Sequence, residues 1–178
     1  MKALVIYGTR GGATKQIAEE IGKVLGEQGY DATVEDAKRS KGIDVDAYDL
    51  IVVGSSVWAG MWKWQASRFM RRNEKKLAGK KVALFSSGLA GNDPEKAEFA
   101  RTSIEKTAAK YPVIKPLALA YFGGYVDIVH PTFFASFIAN AMKKDLEKKG
   151  ADTSKPYDTR DFPAIRKWAA EVATKAKA

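Results

Sequence analysis

The sequence predicts an α/β fold in which helices cover both faces of a five-stranded parallel sheet, a three-layer doubly wound arrangement. Short apolar runs alternate with helical patterns along the chain. The apolar runs are rich in Val, Ile and Leu, as a parallel sheet covered on both faces requires. The chain has 178 residues, the length of one ordinary domain, and we expect residues 1–178 to form that domain.

The elements follow from these patterns in chain order. Strands are expected at residues 2–7, 31–36, 49–55, 80–86 and 114–121. Helices are expected at residues 14–28, 64–72, 94–109, 132–148 and 162–176. The polar segment 150–156 predicts the longest loop, which leads into a last helix that docks back on the sheet. Right-handed crossovers restrict such an order to doubly wound topologies.

Composition narrows the classes of function. The absence of cysteine excludes disulfides, thiolate metal sites and cysteine nucleophiles, and it fits a reducing, cytoplasmic compartment. Met1 and Lys2 run straight into a strand, so no signal peptide is expected. No apolar stretch is long enough to cross a bilayer. The sequence fits a monomer and a dimer equally.

The net charge of +9 arises partly in one segment. Glu74 is the only acidic residue in that segment, and its basic residues are Lys63, Arg68, Arg71, Arg72, Lys75, Lys76, Lys80 and Lys81. Such a patch favours an acidic partner or the anionic inner face of a membrane, or it is a solvated helix face. No nucleic-acid-binding motif is present, and no nucleic-acid partner is expected.

The most informative segment is residues 8–14, Gly-Thr-Arg-Gly-Gly-Ala-Thr, between the first strand and the first helix. Glycines let backbone amides point at an oxyanion, and a helix start offers unpaired N–H groups at the positive end of its dipole. Thr9 and Thr14 add hydroxyl groups. The segment therefore predicts a phosphate site. The alternative is a tight turn with a threonine N-cap and nothing bound.

Two further loops follow strands and are expected to meet the first loop at the carboxyl edge of the sheet. They are residues 54–62, Gly-Ser-Ser-Val-Trp-Ala-Gly-Met-Trp, and residues 86–93, Ser-Ser-Gly-Leu-Ala-Gly-Asn-Asp. Glycine-rich loops permit close approach of a flat ligand. Trp58, which has no apolar stripe around it, either stacks on an aromatic ring or packs as a structural residue.

These loops resemble the flavodoxin family, whose members bind FMN. The first loop matches the family's Thr/Ser-x-Thr-Gly-x-Thr phosphate signature, with Gly11 in place of the central Thr. Residues 54–56 match the start of the second loop, and residues 79–85 match the run into the fourth strand. The resemblance implies a flavodoxin-like sheet with strand order 2-1-3-4-5, FMN as cofactor, and a redox partner protein or quinone as partner.

The whole chain also resembles a narrower branch, the flavodoxin-like menaquinone-dependent protoporphyrinogen dehydrogenases. The features that carry this resemblance are residues 8–10, the run Phe122-Gly123-Gly124-Tyr125, and a helix rich in Phe and Lys at about 132–149. The basic composition also fits, since flavodoxins are usually acidic.

The flavodoxin resemblance implies a set of cofactor-binding residues. Those implied for the phosphate are Thr9, Arg10, Gly11, Gly12, Ala13 and Thr14. Those implied for the isoalloxazine ring are Ser55, Ser56, Val57, Trp58, Ala59, Gly60, Ser87, Gly88, Leu89 and Asn92. No catalytic residue and no metal ligand is predicted.

The chain departs from the family in the third loop, where many flavodoxins place an aromatic residue over one ring face. Leu89 and Ala90 stand there, so Tyr125 or Phe122 is the candidate for that role. The resemblance also implies that a peptide of the second loop turns over to meet the reduced flavin, which is harder at Ala59 than at a glycine.

Three functions remain open, two that depend on FMN and one without a cofactor. The chain is an electron carrier between proteins, or an enzyme that oxidises or reduces a small substrate such as a porphyrinogen or quinone at FMN, or a cofactor-free binding module. Phe133, Phe134 and Phe137 lie near helical spacing, which packing into the core explains. Their exposure beside basic residues would instead favour peripheral membrane contact.

A phosphoacceptor regulator needs acidic residues after the first strand and an Asp at the end of the third, where Tyr7-Gly8 and Gly54-Ser55 stand, so it is excluded. The spacing within residues 8–15 excludes a dinucleotide fingerprint and a Walker loop.

Overall fold

Five parallel strands form the central sheet in a computed structural model that describes residues 1–90, 93–132 and 136–178, with Ile138 described for its backbone alone. The strands are β1 (Lys2–Gly8), β2 (Asp31–Asp36), β3 (Leu50–Trp58), β5 (Lys81–Ser87) and β6 (Ala118–Phe122). A short strand β4 (Met61–Trp62) folds back on β3. The order is β2-β1-β3-β5-β6, which is 2-1-3-4-5 when the parallel strands alone are numbered, as predicted.

The helices lie on both faces of this sheet. They are α1 (Ala13–Glu27), α2 (Trp64–Leu77), α3 (Ala97–Ala108), α4 (Ser136–Lys148) and α5 (Phe162–Lys177). Helices α1 and α5 pack into one core cluster, and α2 and α3 pack into the other. The three-layer doubly wound fold is confirmed. Among the described residues, none of the helices is long and apolar enough to span a bilayer.

Successive side chains of β1 point to opposite faces of the sheet, and both sets are apolar. Ala3 and Val5 belong to the cluster on the α1 and α5 face, whereas Leu4 and Ile6 belong to the cluster on the α2 and α3 face. All four side chains are fully buried. Since burying one aliphatic side chain of this size contributes about 1.5–3 kcal/mol, both faces contribute to stability.

Four predicted boundaries are wrong, three of them for local reasons. Strand β3 runs to Trp58 rather than ending at 55, because Val57 and Trp58 pair with β4. Strand β6 begins at Ala118 because Pro116 lacks an N–H for the ladder and restricts the residue before it. Helix α3 begins at Ala97 because Pro94–Lys96 forms a 3₁₀ turn capped by the Asp93 carboxylate. Helix α2 continues to Leu77 rather than 72. The predicted start of the fourth helix at 132 runs through residues 133–135, which lie outside the described residues.

The C-terminal segment returns to the sheet as predicted. Strands β7 (Tyr125–Val126) and β8 (Tyr157–Asp158) form a separate antiparallel pair, and α5 follows. Ile165 and Ala169 of α5 are fully buried in the α1 face, and the Tyr30 hydroxyl donates to the Ala173 carbonyl at 3.2 Å. The Arg166 guanidinium binds the carboxylates of Glu20 and Glu27 on α1.

Candidate cofactor site

The first loop turns from β1 into α1 around Gly12, which has a left-handed φ of 91°. Its N–H donates to the Thr9 hydroxyl at 2.9 Å. Gln16 makes the first helical hydrogen bond, to the Gly12 carbonyl at 3.2 Å, so the N–H groups of Ala13, Thr14 and Lys15 precede the helical ladder. Thr14, inside the helix, is not the N-cap that the alternative interpretation supposed; Gly12 is.

Open space faces this turn. A Cβ built on Gly11 or Gly12 meets no heavy atom within 4 Å, and the first turn of α1 holds no acidic residue. Arg10 and Gly11 are exposed, and Gly12 and Ala13 are half-buried. Unpaired amides at a helix start, with a cation beside them and no carboxylate in the first turn, form a site for an anion.

Thr14 connects the first loop to the third. Its side chain is buried, and its hydroxyl oxygen lies 2.8 Å from the hydroxyl oxygen of Ser87 at the end of β5. The two predicted site residues therefore share one hydrogen bond, which fixes the start of α1 against the carboxyl end of the sheet.

The second loop is a β-hairpin. Val57 pairs with Trp62 and Trp58 pairs with Met61, so Ala59 and Gly60 form a two-residue turn. Both have positive φ, 49° and 73°, as in a type I′ turn. Ala59 is the single non-glycine residue with positive φ in the described part of the chain. The prediction that the Ala59 peptide turns over less readily than a glycine peptide stays a prediction.

Serine side chains hold this hairpin and leave one polar atom unpaired. The Ser55 hydroxyl accepts the Lys63 N–H at 2.8 Å and donates to the Ser56 carbonyl at 3.1 Å, which ties the hairpin to the start of α2. The Ser56 hydroxyl is buried without a hydrogen-bond partner among the described residues. This hydroxyl is shielded from solvent and is an unpaired polar atom within the hairpin.

The third loop continues β5. The Ser86 hydroxyl accepts the Trp62 indole N–H at 2.8 Å, and the Gly88 N–H donates to the Phe122 carbonyl at 3.1 Å. Leu89 is half-buried and Ala90 is buried. Asn92, also predicted to flank the ring, lies outside the described residues.

A cleft of about 380 Å³ lies between the second and third loops. A volume of this size is typical of a small-molecule site. The cleft is lined by Val57, Trp58, Ala59, Gly60, Leu89, Ala90, Lys96, Phe99 and Tyr121. The structure thus brings five of the ten predicted ring-binding residues into the cleft, Val57, Trp58, Ala59, Gly60 and Leu89. Ser55, Ser56, Ser87 and Gly88 do not line it. Trp58 and Phe99 remain 49% and 51% exposed, so each offers a ring to a ligand.

Sequence reasoning missed Lys96, Phe99 and Tyr121. Tyr121 pairs with Ser86 at the carboxyl end of the edge strand β6, a position that the predicted strand order could have indicated. Burial raises the pKa of Tyr121 to about 12, so its phenol keeps its proton at neutral pH. Phe99 and Lys96 come from the start of α3, for which the sequence carries no ligand signal.

The two candidates for covering the second ring face do not line the cleft. Phe122 is buried in the core, where its ring lies 5.8 Å from Phe85 and 5.5 Å from Trp168 between centroids. Tyr125 lies in β7 beneath the Arg160 guanidinium, 5.0 Å from its ring centroid. The Phe122 prediction is wrong because this residue ends a strand that faces α5, and Phe99 and Tyr121 are the aromatic cleft residues besides Trp58.

A match to a protein-family model shows which family this chain belongs to. The model described as a flavodoxin domain matches residues 4–154, well over half of the chain. The chain belongs to the flavodoxin domain family. This flavodoxin-domain protein is also 24% identical to protoporphyrinogen IX dehydrogenase [quinone] of Escherichia coli K12, in a match that covers 97% of this chain and 95% of that protein.

Solved structures agree with the fold of this flavodoxin-domain protein. A flavodoxin from the domain Archaea superposes with a TM-score of 0.57 at 20% identity, over 100% of both chains. Oxidised flavodoxin 1 from Bacillus cereus gives 0.56 at 19% identity, over 98% of both chains. A flavoprotein in complex with FMN from Lactobacillus acidophilus gives 0.50 at 19% identity, over 67% of this chain and 92% of that one.

Proposed function

We propose that this protein binds FMN and transfers electrons to and from a redox partner. The observation that carries the proposal is the hydrogen bond between Thr14 and Ser87, which joins an anion-binding helix start to the loop that walls an aromatic-lined cleft. A phosphate ester that carries a flat heterocycle needs both features together. Family membership supports FMN, as does the FMN in the Lactobacillus acidophilus flavoprotein of similar fold.

The first loop is proposed to hold the phosphate. The N–H groups of Ala13, Thr14 and Lys15 face the anion, Gly11 and Gly12 leave room for it, and Arg10 contributes positive charge. Charge-assisted hydrogen bonds of this kind contribute about 1.5–3 kcal/mol each. Two such bonds amount to about a hundredfold or more in affinity for FMN over riboflavin.

The cleft is proposed to hold the isoalloxazine ring. Trp58 offers a stacking face, and Leu89 and Ala90 supply the third-loop wall. When bound, FMN supplies the electron-transfer chemistry itself, and the protein positions the ring and sets its electrostatic surroundings.

The test is titration of the apoprotein with FMN and with riboflavin, followed by flavin fluorescence and calorimetry. Trp58→Leu is expected to weaken FMN binding about tenfold or more. The reason is that stacking of a flat heterocycle on an aromatic side chain contributes about 1–3 kcal/mol. Trp64→Leu is the matched control, because Trp64 is 60% exposed but does not line the cleft. A colourless protein that gives no heat with FMN would contradict the proposal and favour a cofactor-free binding module.

A second candidate is an enzyme that oxidises a small substrate at FMN and passes the electrons to a quinone. The observation that favours it is the nearly full-length match to protoporphyrinogen IX dehydrogenase [quinone]. The exposed rings of Trp58 and Phe99 also leave the cleft open to a second flat molecule. In this reaction the substrate loses two electrons and two protons for each quinone reduced to the quinol.

Turnover of protoporphyrinogen with menaquinone tests the second candidate. Phe99→Ala is expected to lower turnover more than FMN affinity if Phe99 contacts the substrate. FMN binding without any turnover would leave the electron carrier as the function. In either case the partner is a redox protein or a quinone.

We further propose that α4 gives the protein peripheral contact with the anionic inner face of the cytoplasmic membrane. Phe137 is 84% exposed on this helix, which also carries Lys144 and Lys148 as exposed cations. An exposed aromatic beside lysines is typical of interfacial binding. Phe133 and Phe134, also expected there, lie outside the described residues.

Sedimentation with phosphatidylglycerol vesicles tests the membrane proposal. Phe137→Ser is expected to reduce the bound fraction, while Phe99→Ser, an exposed phenylalanine on another helix, leaves it unchanged. Equal sedimentation of all three proteins would contradict the role of α4.

A further inference from the structure

Helix α2 carries a row of exposed cations on one side. Arg68, Arg71 and Lys75 are spaced three and four residues apart, so they share a helix face, and all three are exposed. Trp64 precedes them at the same spacing and is 60% exposed. We call Arg68, Arg71 and Lys75 the α2 cationic stripe, with Trp64 at its N-terminal end.

The charges of this stripe are not compensated. Among the described residues, no carboxylate lies within 4.0 Å of the three cations, and the Arg68 guanidinium lies 5.8 Å from the Trp64 ring centroid. Other cations of the same segment are engaged. The Arg72 guanidinium donates to the Ser40 carbonyl at 2.6 Å, and Lys76 pairs with Asp44 at 3.2 Å.

Helix α3, whose start lines the cleft, has a different charge pattern. Arg101 pairs with Glu98 at 2.7 Å and with Glu105 at 2.9 Å, and Lys96, in the turn before α3, pairs with Asp93 at 2.6 Å. Two cations on the α3 side therefore have neighbouring carboxylates, whereas the three cations of the α2 cationic stripe do not.

The stripe lies on the helix that follows the hairpin of the second loop. Trp64 begins this helix one residue after the hairpin, whose turn, Ala59 and Gly60, lines the cleft and whose Trp58 and Met61 are exposed. At 1.5 Å per residue, Arg68 lies about 6 Å along the helix axis from Trp64 and Lys75 about 16 Å. The nearer charge, Arg68, is therefore within a Debye length of Trp64 at physiological salt, about 8 Å.

We propose that the α2 cationic stripe docks an acidic redox protein, whose redox centre is thereby brought to the Trp58 side of the cleft. The proposal rests on the proposed FMN-dependent function. Exposed Trp58, Met61 and Trp64 provide an apolar centre, and the cations provide a charged flank, which is the usual anatomy of a transient interface. Charge complementarity selects an acidic partner and raises the rate of encounter.

The test uses two haem proteins of opposite charge as electron acceptors, acidic cytochrome b5 and basic cytochrome c. The FMN-loaded protein is reduced, and its reoxidation is followed by stopped flow at low and high salt. One two-electron-reduced flavin passes one electron to each of two ferric haems and releases its protons to solvent. The variant is R68E/R71E/K75E, and its matched control is K23E/K167E/K175E, three exposed cations on helices α1 and α5 of the other face.

The stripe variant is expected to react about tenfold or more slowly with cytochrome b5 at low salt and faster with cytochrome c, and the differences are expected to shrink at high salt. The control variant keeps the original preference. Equal effects of the two variants would overturn the proposal, because net charge alone would then act. Loss of sedimentation with anionic vesicles in the stripe variant, with an unaltered rate of electron transfer to cytochrome b5, would also overturn it, in favour of a membrane surface.

FMN affinity is measured on every variant first. An unaltered FMN affinity with no change in acceptor preference defeats the docking proposal alone. A failure of the parent protein to bind FMN defeats the proposed function instead.

Discussion

The hydroxyl of Thr14 and the hydroxyl of Ser87 share a hydrogen bond of 2.8 Å, although 73 residues separate them in the chain. Both side chains are buried. The bond joins the N-terminal turn of α1 to the carboxyl end of β5. In the proposed function it therefore fixes the phosphate end of FMN relative to the wall of the ring cleft.

Breaking this bond is expected to destabilise the fold and weaken FMN binding. Thr14→Val keeps the shape of the side chain but leaves the Ser87 hydroxyl unpaired, at a cost of about 1–3 kcal/mol. Ser87→Ala is expected to cost a similar amount. The double variant should cost less than the sum, with a coupling of about 0.5–1.5 kcal/mol, since the second change removes no further bond.

Urea denaturation of the apoproteins measures these free energies. Thr33→Val on β2 is the control, because Thr33 is exposed and such surface changes stay within about 0.5 kcal/mol. Strictly additive effects of the two single changes would show that the hydroxyl pair contributes nothing.

Substitution by alanine should lower the free energy of unfolding at Gly12 more than at the neighbouring Gly11. Gly12→Ala places a side chain at φ 91°, which costs roughly 1–2 kcal/mol. Gly11 has an ordinary φ and open space before its Cβ, so Gly11→Ala should change the unfolding free energy by about 0.5 kcal/mol or less. Thermal and urea unfolding compare the two variants, and a more harmful Gly11→Ala would contradict the described turn.

The carboxyl edge of the sheet could be predicted from sequence because strand ends carry local signals. Glycine and hydroxyl residues follow β1, β3 and β5, and parallel strands must bring those ends together. The start of β6 was predicted four residues early, because an apolar run such as residues 113–121 does not show where Pro116 ends the pairing.

The complete lining of the cleft could not be predicted in the same way. Phe99 reaches it through the position of α3, which depends on tertiary packing rather than on the residues beside Phe99. Phe122 is a candidate for the ring-covering role only because Leu89 and Ala90 stand where many flavodoxins place an aromatic residue. Its side chain packs against Trp168 instead, in the core on the α5 side of the sheet.

Ala59 is expected to limit stability slightly. Its φ of 49° is unfavourable for an L-residue by roughly 1–2 kcal/mol, while glycine at this position costs about 0.4–1 kcal/mol in unfolded-chain entropy. Ala59→Gly should therefore raise the free energy of unfolding by up to about 1 kcal/mol. Ala141→Gly in α4, the same change in an exposed right-handed position, should lower it by about 1 kcal/mol.

The denaturation midpoints of Ala59→Gly and Ala141→Gly show directly whether each substitution raises or lowers the free energy of unfolding. A destabilising Ala59→Gly would mean that the turn does not hold Ala59 in the left-handed region. The same pair should be compared for FMN affinity, because Ala59 lines the cleft and Ala141 does not.

Alkaline pH should destabilise the fold through Tyr121. Burial raises its folded-state pKa to about 12 from the ordinary value of 10.0. Between these two values the unfolded chain releases the phenolic proton while the folded protein retains it, so the folded state binds more protons and stability falls as pH rises. The contribution is fully present below pH 10 and is lost by about pH 12.

Tyr121→Phe removes the Tyr121 part of this dependence; burial also raises the pKa values of Tyr7, Tyr30 and Tyr111, whose contributions remain. Ultraviolet titration of the native protein should show one phenol fewer ionising near pH 12 in the variant, and its unfolding free energy should fall less steeply between pH 10 and pH 12. Tyr48→Phe is the control, since Tyr48 is a half-exposed tyrosine away from the cleft. If the variant and the parent lost stability with the same slope, Tyr121 would not be the group whose ionisation burial suppresses.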